Sequence, residues 1–364
     1  MKIVFFVHSL ISDWNNGNAH FLRGIVSELK RRNHSVIVYE PVDSWSAGNL
    51  VECEGYNEIV NFHLYYPLLC SFKYNIINFD LDRALDNADL VIVHEWNTPE
   101  IVSRIGLHKK TYKKYVLLFH DTHHRTITAP EVMAGYDLRN YDGVLAFGEK
   151  IRLIYLKNGW VQRAWTWHEA ADTSVFKPVK YTGLKEDLVW IGNWGDEERS
   201  RELCEFFFEP VKKLKLKCSA YGVRFPQSAI DLLSRCGINY HGWLPNYRVP
   251  EIFSKFKLTV HIPRQPYVNM LSGIPTIRPF EALACGIPLV CSPWNDCDGL
   301  FRAGKDYLVA NNGTEMEKHI KMLLNDSAFA DEIVLNGLQT VISRHTCAHR
   351  VNELLEIVCS IKPS

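Results

Sequence analysis

The segment Arg278-Pro279-Phe280-Glu281-Ala282-Leu283-Ala284-Cys285-Gly286 sets a cation and a carboxylate three residues apart at the start of an apolar helical pattern. Proline suits a first helical position and glycine the position just past the last, so a helix over Pro279–Cys285 is predicted. Glu281 then falls in the first turn, where free N–H groups and the helix dipole favour an anion. A carboxylate there can accept hydrogen bonds from a ribose diol, while Arg278 can pair with phosphate. An ordinary first-turn Glu beside a surface Arg is the competing structural reading.

The densest polar cluster is His120-Asp121-Thr122-His123-His124-Arg125, at the end of an apolar run. His and Asp are metal ligands, but this spacing follows no zinc pattern, and no metal or other cofactor is expected. Two readings stay open: a loop contacting sugar or phosphate, with His120 inward and Arg125 balancing charge, and a structural turn. Glu95-Trp96-Asn97 either lines an acceptor pocket or caps a helix starting at Pro99. Asp13, in the first polar loop, has the chemistry of a general base, and His168 and Glu169 suit hinge packing. Lys109, Lys110, Lys113 and Lys114 read as a solvated helix end, with at most peripheral contact to anionic lipid. Gly192-x-x-Gly195 is too short for a dinucleotide fingerprint, and there is no P-loop.

The elements that must position these residues alternate. Lys2–Val7, Ser35–Tyr39, Asp89–His94, Tyr115–Phe119, Gly143–Phe147 and Val161–Thr166 read as strands, with helices around Leu22–Leu29, Leu81–Ala88 and Pro99–Leu107. After a polar break at His168–Thr182 the pattern restarts. Strands are expected at Leu188–Gly192, Cys218–Gly222, Leu258–Ile262 and Leu289–Cys291, and helices at Glu198–Leu214, Ser228–Cys236 and Pro279–Cys285. From Gly313 to Ile361 the chain reads as helix after helix. This predicts α/β architecture: two doubly wound, Rossmann-like domains facing a cleft, with a helical tail. The expected domains are 1–170, a linker at 171–182, 183–345, and a terminal helix at 346–364. Polar residues just after strands are then the ones that meet ligands.

Composition narrows the classes. The 364 residues carry 41 basic and 41 acidic groups, 47% hydrophobic residues and 23% charged ones, which excludes disorder or coiled coil as a description of the whole. The first 170 residues hold 18 basic and 19 acidic groups, so no half has the basic footprint of a nucleic-acid binder. The N-terminal apolar run lasts only about six residues, too short for a signal-peptide core, and the ten cysteines form no CxxC pair. A cytoplasmic location with reduced thiols is expected.

Four segments, in order, resemble the GT-B superfamily of nucleotide-sugar glycosyltransferases, particularly its family-4-like and CgeB-type (spore-coat maturation) branch. Glu169–Pro178 is similar to the family's interdomain N-G-V-D-x-x-x-F-x-P segment. Trp190-Ile191-Gly192-Asn193-Trp194, with Arg199 downstream, resembles the loop that opens its donor domain. Tyr240–Leu244 resembles its Y-x-G-x-L strand, and Phe280–Gly286 its E-A-x-A-x-G ribose element. More loosely, Gly17-Asn18-Ala19-His20 is similar to the family's first loop and helix, and His120-Asp121 falls where it places a cleft histidine.

The resemblance implies transfer of a sugar from a nucleotide diphosphate, UDP- or GDP-linked, to an acceptor hydroxyl, without metal and with retention. It implies catalytic roles for His120, Arg199 and Arg278. Substrate contacts are implied for Gly17, Asn18, His20, Asp121, Gly192, Asn193, Trp194, Phe280 and Glu281, and for Arg264 in the loop after Leu258–Ile262. The acceptor is unassigned. Family 4 has a further Glu eight residues before the ribose Glu; here Gly273 stands there. A GT-B-fold nucleotide-sugar epimerase and a non-catalytic sugar-binding protein are the alternatives.

Overall fold

The computed structural model describes residues 1–112 and 114–361; Lys113, one of the lysines noted above, lies outside them. Met1–Glu169 with the helix Cys347–Ile361 forms one compact unit, and Ala170–Thr346 a second.

The first unit is built on seven strands: β1 (Lys2–Phe6), β2 (Ser35–Pro41), β3 (Phe72–Tyr74), β4 (Leu90–His94), β5 (Val116–Asp121), β6 (Gly143–Ala146) and β7 (Ala164–Thr166). Their order is β3-β2-β1-β4-β5-β6-β7, and every neighbouring pair is parallel. Helices cover both faces of such a sheet, so its central strands are apolar throughout: Ile3–Phe6, Leu90–Val93 and Val116–Phe119 are all buried. β3 escapes sequence reading because it is short and at the edge, with Phe72 and Lys73 exposed. The helices Trp45–Glu54 and Asn57–Tyr65 also go unread, since each buries only one or two residues.

The expected helical tail is present, and its last helix packs on the first unit. Arg32 donates to the Asn352 side chain at 2.6 Å and to the Ala348 carbonyl at 3.0 Å. Buried Trp167 donates to the Arg350 carbonyl at 2.8 Å. The helix is thereby sewn to the first unit, a long-range connection no local pattern can announce.

The second unit has six strands: β8 (Glu186–Ile191), β9 (Cys218–Tyr221), β10 (Ile238–Tyr240), β11 (Phe256–His261), β12 (Leu289–Cys291) and β13 (Leu308–Val309). They run parallel in the order β10-β9-β8-β11-β12-β13. The Tyr240–Leu244 segment is strand only up to Tyr240.

Two helices differ from expectation. The stretch expected to be one helix over Glu198–Leu214 is helical at Ser200–Leu203, widens to a π turn over Cys204–Phe208, and resumes at Glu209–Leu214. Pro210 cannot donate to the Phe206 carbonyl and its ring would crowd it; the wider turn relieves that clash. The second helix begins at Ile277, not Pro279, with Thr276 before it. Proline is tolerated there because the first turn's N–H groups have no intrahelical partner. Glu281 therefore sits in the second turn rather than the first. The C-terminal prediction holds: Gly286 takes φ +66°, Ile287 N–H bonds the Ala282 carbonyl, and Gly286 N–H the Leu283 carbonyl, a Schellman closure.

In both sheets the strand order reverses beside the first strand, between β1 and β4 and between β8 and β11. Ligands of doubly wound sheets bind outside the carboxyl ends at such switch points.

Candidate functional site

At the switch point of the first unit, the chain leaving β1 is tied down by a buried carboxylate. Glu40 Oε1 accepts from Leu10 N–H at 2.6 Å and Ile11 N–H at 3.2 Å, and Oε2 from Lys73 Nζ at 2.6 Å. Arg23, also buried, donates to the Leu10 and Ile11 carbonyls and to Asp13 at 2.8 Å. With its carboxylate held by Arg23, Asp13 has the placement of a loop anchor, not of a general base. Gly17 precedes the helix Asn18–Arg31, and its neighbours Asn18 and His20 are both buried.

Asn18 Nδ2 meets His94 Nε2 at 2.6 Å, and the same nitrogen lies 2.9 Å from Thr122 Oγ1. His94 in turn packs against His120 with ring centroids 5.3 Å apart. His120 is fully buried beside Trp167 and Phe21, and neither ring nitrogen has a hydrogen-bond partner among the described residues. Burial pushes its pKa down to about 3, so it is a neutral imidazole able to offer one donor and one acceptor.

Asp121 faces away from this group. Its carboxylate accepts from Thr126 Oγ1 at 2.8 Å, Tyr155 OH at 2.9 Å and His123 N–H at 3.1 Å. Beside it, buried Glu95 binds Arg125 at 2.8 Å and Thr122 N–H at 2.9 Å; burial and then Asp121 push Glu95 up to about 8 against Arg125's pull. Arg125 also lies 4.1 Å over the Trp96 ring. This network shapes the loop that carries His120. Asn97 bonds the Phe6 and His94 carbonyls, which makes it a turn residue.

In the second unit, the turn after β8 is pressed against the turn after β9. A Cβ on Gly222, at φ +149°, would lie 2.0 Å from the Gly192 carbonyl oxygen. Asn193 Oδ1 accepts from Val223 N–H at 3.0 Å, and Trp194 packs with Phe208 and Phe225. Asn193 and Trp194 thus shape the turn, and their side chains are engaged in holding it.

That turn gathers arginines. A Cβ on Gly195 would come within 3.0 Å of Arg199 Nε and 3.3 Å of Arg264 Nε, so both guanidinium groups crowd one glycine. Arg264 pairs with Glu198 at 3.3 Å. Arg199 meets no carboxylate among the described residues: its Nη1 donates to the Ile262 carbonyl at 2.7 Å, its Nη2 to the Asn193 carbonyl, and its guanidinium lies 5.3 Å from the Trp190 ring centroid. Burial first, then Arg264 and Arg278, push Arg199 down to about 9, with Glu198 opposing. Next to it His261, at the end of β11, is pushed down to about 3 by burial and by Arg199 and Arg278.

Glu281 is fully buried, its Oε2 2.7 Å from Arg278 Nη1 and its Oε1 accepting from Asn246 Nδ2 at 3.0 Å. Phe280, expected at the ligand, is instead fully buried against Phe301 and His345. An i, i+1 pair on a helix points in different directions: Glu281 meets Arg278 and Asn246, and Phe280 the aromatic cluster of Phe301 and His345. Sequence reading missed Glu40, Arg23, His94, His261 and Asn246. The signal for His94 and His261 was present: each is a histidine closing an apolar strand.

Among the described residues no group of three or more His, Cys, Asp or Glu is placed to hold a metal ion, and no helix is long and apolar enough to cross a membrane.

Two Rossmann-like units with these switch points define the GT-B class of fold. Residues 199–356 match the family model described as glycosyl transferase-like. Comparison with curated proteins gives no match. Among solved structures, the chain is similar to Anabaena Alr3699/HepE in complex with UDP and glucose, at 14% identity and TM-score 0.68, covering 99% of this chain and 100% of that one. It is also similar to a Staphylococcus aureus TarM mutant in complex with fondaparinux, alpha-GlcNAc-glycerol and UDP, at 12% identity and TM-score 0.68, covering 98% and 99%. A third is an alpha-glucosyltransferase in complex with UDP-glucose and abasic-site DNA, at 11% identity and TM-score 0.71, covering 98% of each chain. At these identities the likeness establishes the fold. The family match describes residues 199–356 as glycosyl transferase-like.

Proposed function

We propose that this protein transfers a sugar from a nucleotide diphosphate donor, UDP- or GDP-linked, to an acceptor hydroxyl, and that it does so in the cytoplasm as a member of the CgeB-type branch. The observation that carries the reading is the arginine group at the β8/β11 switch point. Burial, then Arg264 and Arg278, push Arg199 down, and among the described residues its hydrogen bonds go to carbonyls. A diphosphate supplies the missing negative charge, and fixed cations placed where charge develops on the leaving group are an effective form of transition-state stabilisation. The reading therefore needs no metal.

Glu281 would receive the ribose hydroxyls, exchanging part of its bond with Arg278 for them. His120, neutral and with both ring nitrogens unengaged, would hydrogen-bond the transferred sugar rather than attack it, in keeping with the retention the motif resemblance implies. Asn18 and His94 hold the imidazole's surroundings in place.

The test is calorimetry with UDP and GDP, followed by turnover of the matching nucleotide sugars with and without a panel of acceptor glycans. Release of nucleotide diphosphate that depends on an acceptor supports transfer. Interconversion of the nucleotide sugar with no acceptor present would mark an epimerase, and failure of both nucleotides to bind would mark a sugar-binding protein.

A further inference from the structure

Residues on either side of Arg264 in the chain, Pro263 and Gln265, help line a pocket of about 180 Å³ that the donor reading does not use. Its wall is made by Arg201, Glu202, Glu205 and Phe206 from the segment that contains the π turn, by Gln265, Val268 and Asn269, and by the residues that follow β11 and β12, Pro263, Ser292 and Pro293. None of these is a residue assigned to the donor.

The volume is roughly six times the 30 Å³ share of one liquid water, and below the ~300 Å³ of a drug-sized pocket, which suits a single small ring. The chemistry of the wall is specific. Glu202, half-buried at the wall, accepts from Gln265 Nε2 at 3.1 Å through its exposed Oε1. The exposed Oε1 has acceptor capacity beyond that one bond, so the wall offers a carboxylate acceptor to whatever enters. Two carboxylates against one guanidinium disfavour an anionic occupant. Two side-chain amides and a hydroxyl match alternating hydroxyl groups, and Phe206, Val268 and the two prolines supply apolar surface for a C–H face. The π turn that brings Glu205 and Phe206 to the wall is a feature frequent at functional sites.

We propose that this cavity binds one neutral pyranose, with Glu202 accepting from its hydroxyls. Its use as a subsite for a remote sugar of a glycan acceptor rests on the transferase reading; its preference for a neutral polyol ring does not. Pro263 and Gln265 flank Arg264, so an occupant bears directly on the segment that carries one donor-site cation.

The experiment is ligand-observed saturation-transfer NMR on the full chain with glucose, galactose, mannose and N-acetylglucosamine, beside calorimetry with UDP. At least one sugar should show transfer. Glu202→Gln and, separately, the cavity-filling Val268→Phe should each weaken it by about tenfold, while circular dichroism and UDP affinity stay as in the parent. Ethylammonium chloride is run in parallel, and competition by it that matches the best sugar would show a cation site and overturn the proposal. Absence of transfer to all four sugars overturns it, as does transfer that survives both variants. Sugar binding that is lost in the variants while UDP fails to bind the parent sinks the donor reading alone and leaves this site standing.

Discussion

Replacing Glu281 by Ala separates what this residue holds from what it binds. Its side chain is 1% exposed and that of its partner Arg278 15%, and Asn246, the other partner, is buried too. Truncation leaves a small void and removes the carboxylate that accepts from both the guanidinium and the amide. Removing one member of such a pair costs about 3–5 kcal/mol, most of it the desolvation of the group left behind. For a folding unit of this size each kcal/mol moves the melting temperature by roughly 2–4 °C, so even the lower figure lowers that unit's transition by about 6–12 °C. Glu281→Gln is the informative control: it keeps an acceptor for Asn246 but turns an amide toward Arg278, so its loss should be smaller than that of Ala. Differential scanning calorimetry gives the stabilities. Titration with UDP well below both transitions gives the affinities, which should fall by about tenfold or more in the Ala variant. An unchanged melting temperature would refute the buried-pair reasoning. An unchanged UDP affinity in a folded variant would refute the ribose assignment while leaving the pair intact.

Arg199 is a cation whose charge is disfavoured by burial, Arg264 and Arg278, and a diphosphate would offset that. Arg199→Gln should therefore weaken UDP binding by about tenfold or more in calorimetry, and an unchanged affinity counts against the assignment. His8, His120 and His261 are pushed to about 4, 3 and 3, below the ~6.5 of the unfolded chain. The unfolded chain therefore binds more protons in that window, and stability present above pH 6.5 is lost as pH falls, each histidine contributing up to about 1.4 kcal/mol per unit. Glu95, raised to about 8, works the other way between pH 4.5 and 8, as do Asp121 and Glu54, which burial also raises; buried His94, lowered too, adds to the histidine side. The urea midpoint should drop clearly between pH 7 and pH 5, and a flat profile would contradict this balance. Gly273→Glu, which reinstates the family's carboxylate, should lose roughly 2–5 kcal/mol and gain no turnover, because the position has φ +91° and no room.

The parallel sheets were legible because a strand buried on both faces carries an apolar run, as Ile3–Phe6, Leu90–Val93, Val116–Phe119 and Leu188–Ile191 do. Elements with weak burial, such as the edge strand Phe72–Tyr74 and the helix Asn57–Tyr65, leave no comparable trace. Arg199, Arg264, Arg278 and Glu281 were readable as residue types after strands or at a helix start. Their mutual geometry was not, because Gly195 and Gly222 create it by letting two backbones meet, and a glycine's neighbours in space are not its neighbours in sequence. That Phe280 packs on Phe301 and His345 was not readable, because a motif marks a stretch of chain without saying what each of its side chains touches. Glu40 and Arg23, the two groups that pin the loop after β1, lie on different elements from that loop and had no local signature.

Gly273 shows that a missing motif residue need not mean a missing charge. Its N–H bonds the Asn295 carbonyl at 2.7 Å, and the space a Cβ would fill is already taken by Cys297 Sγ and Asp298 Oδ1, each 2.6 Å from it. A carboxylate thus reaches this point from the loop after β12 instead of from the segment before the Ile277–Ala284 helix. What sugar hydroxyls require is an acceptor at a place, and either stretch of chain can deliver one. Under the donor reading, the arginines set affinity for the nucleotide diphosphate, and the loop at Asp298 sets which sugar is taken. Asp298→Asn should accordingly change the ranking of UDP-sugars in a competition assay and leave UDP affinity within about twofold, since no diphosphate contact is touched. A ranking that stays the same would place the sugar's recognition elsewhere and leave Asp298 as a residue that only fills the space beside Gly273.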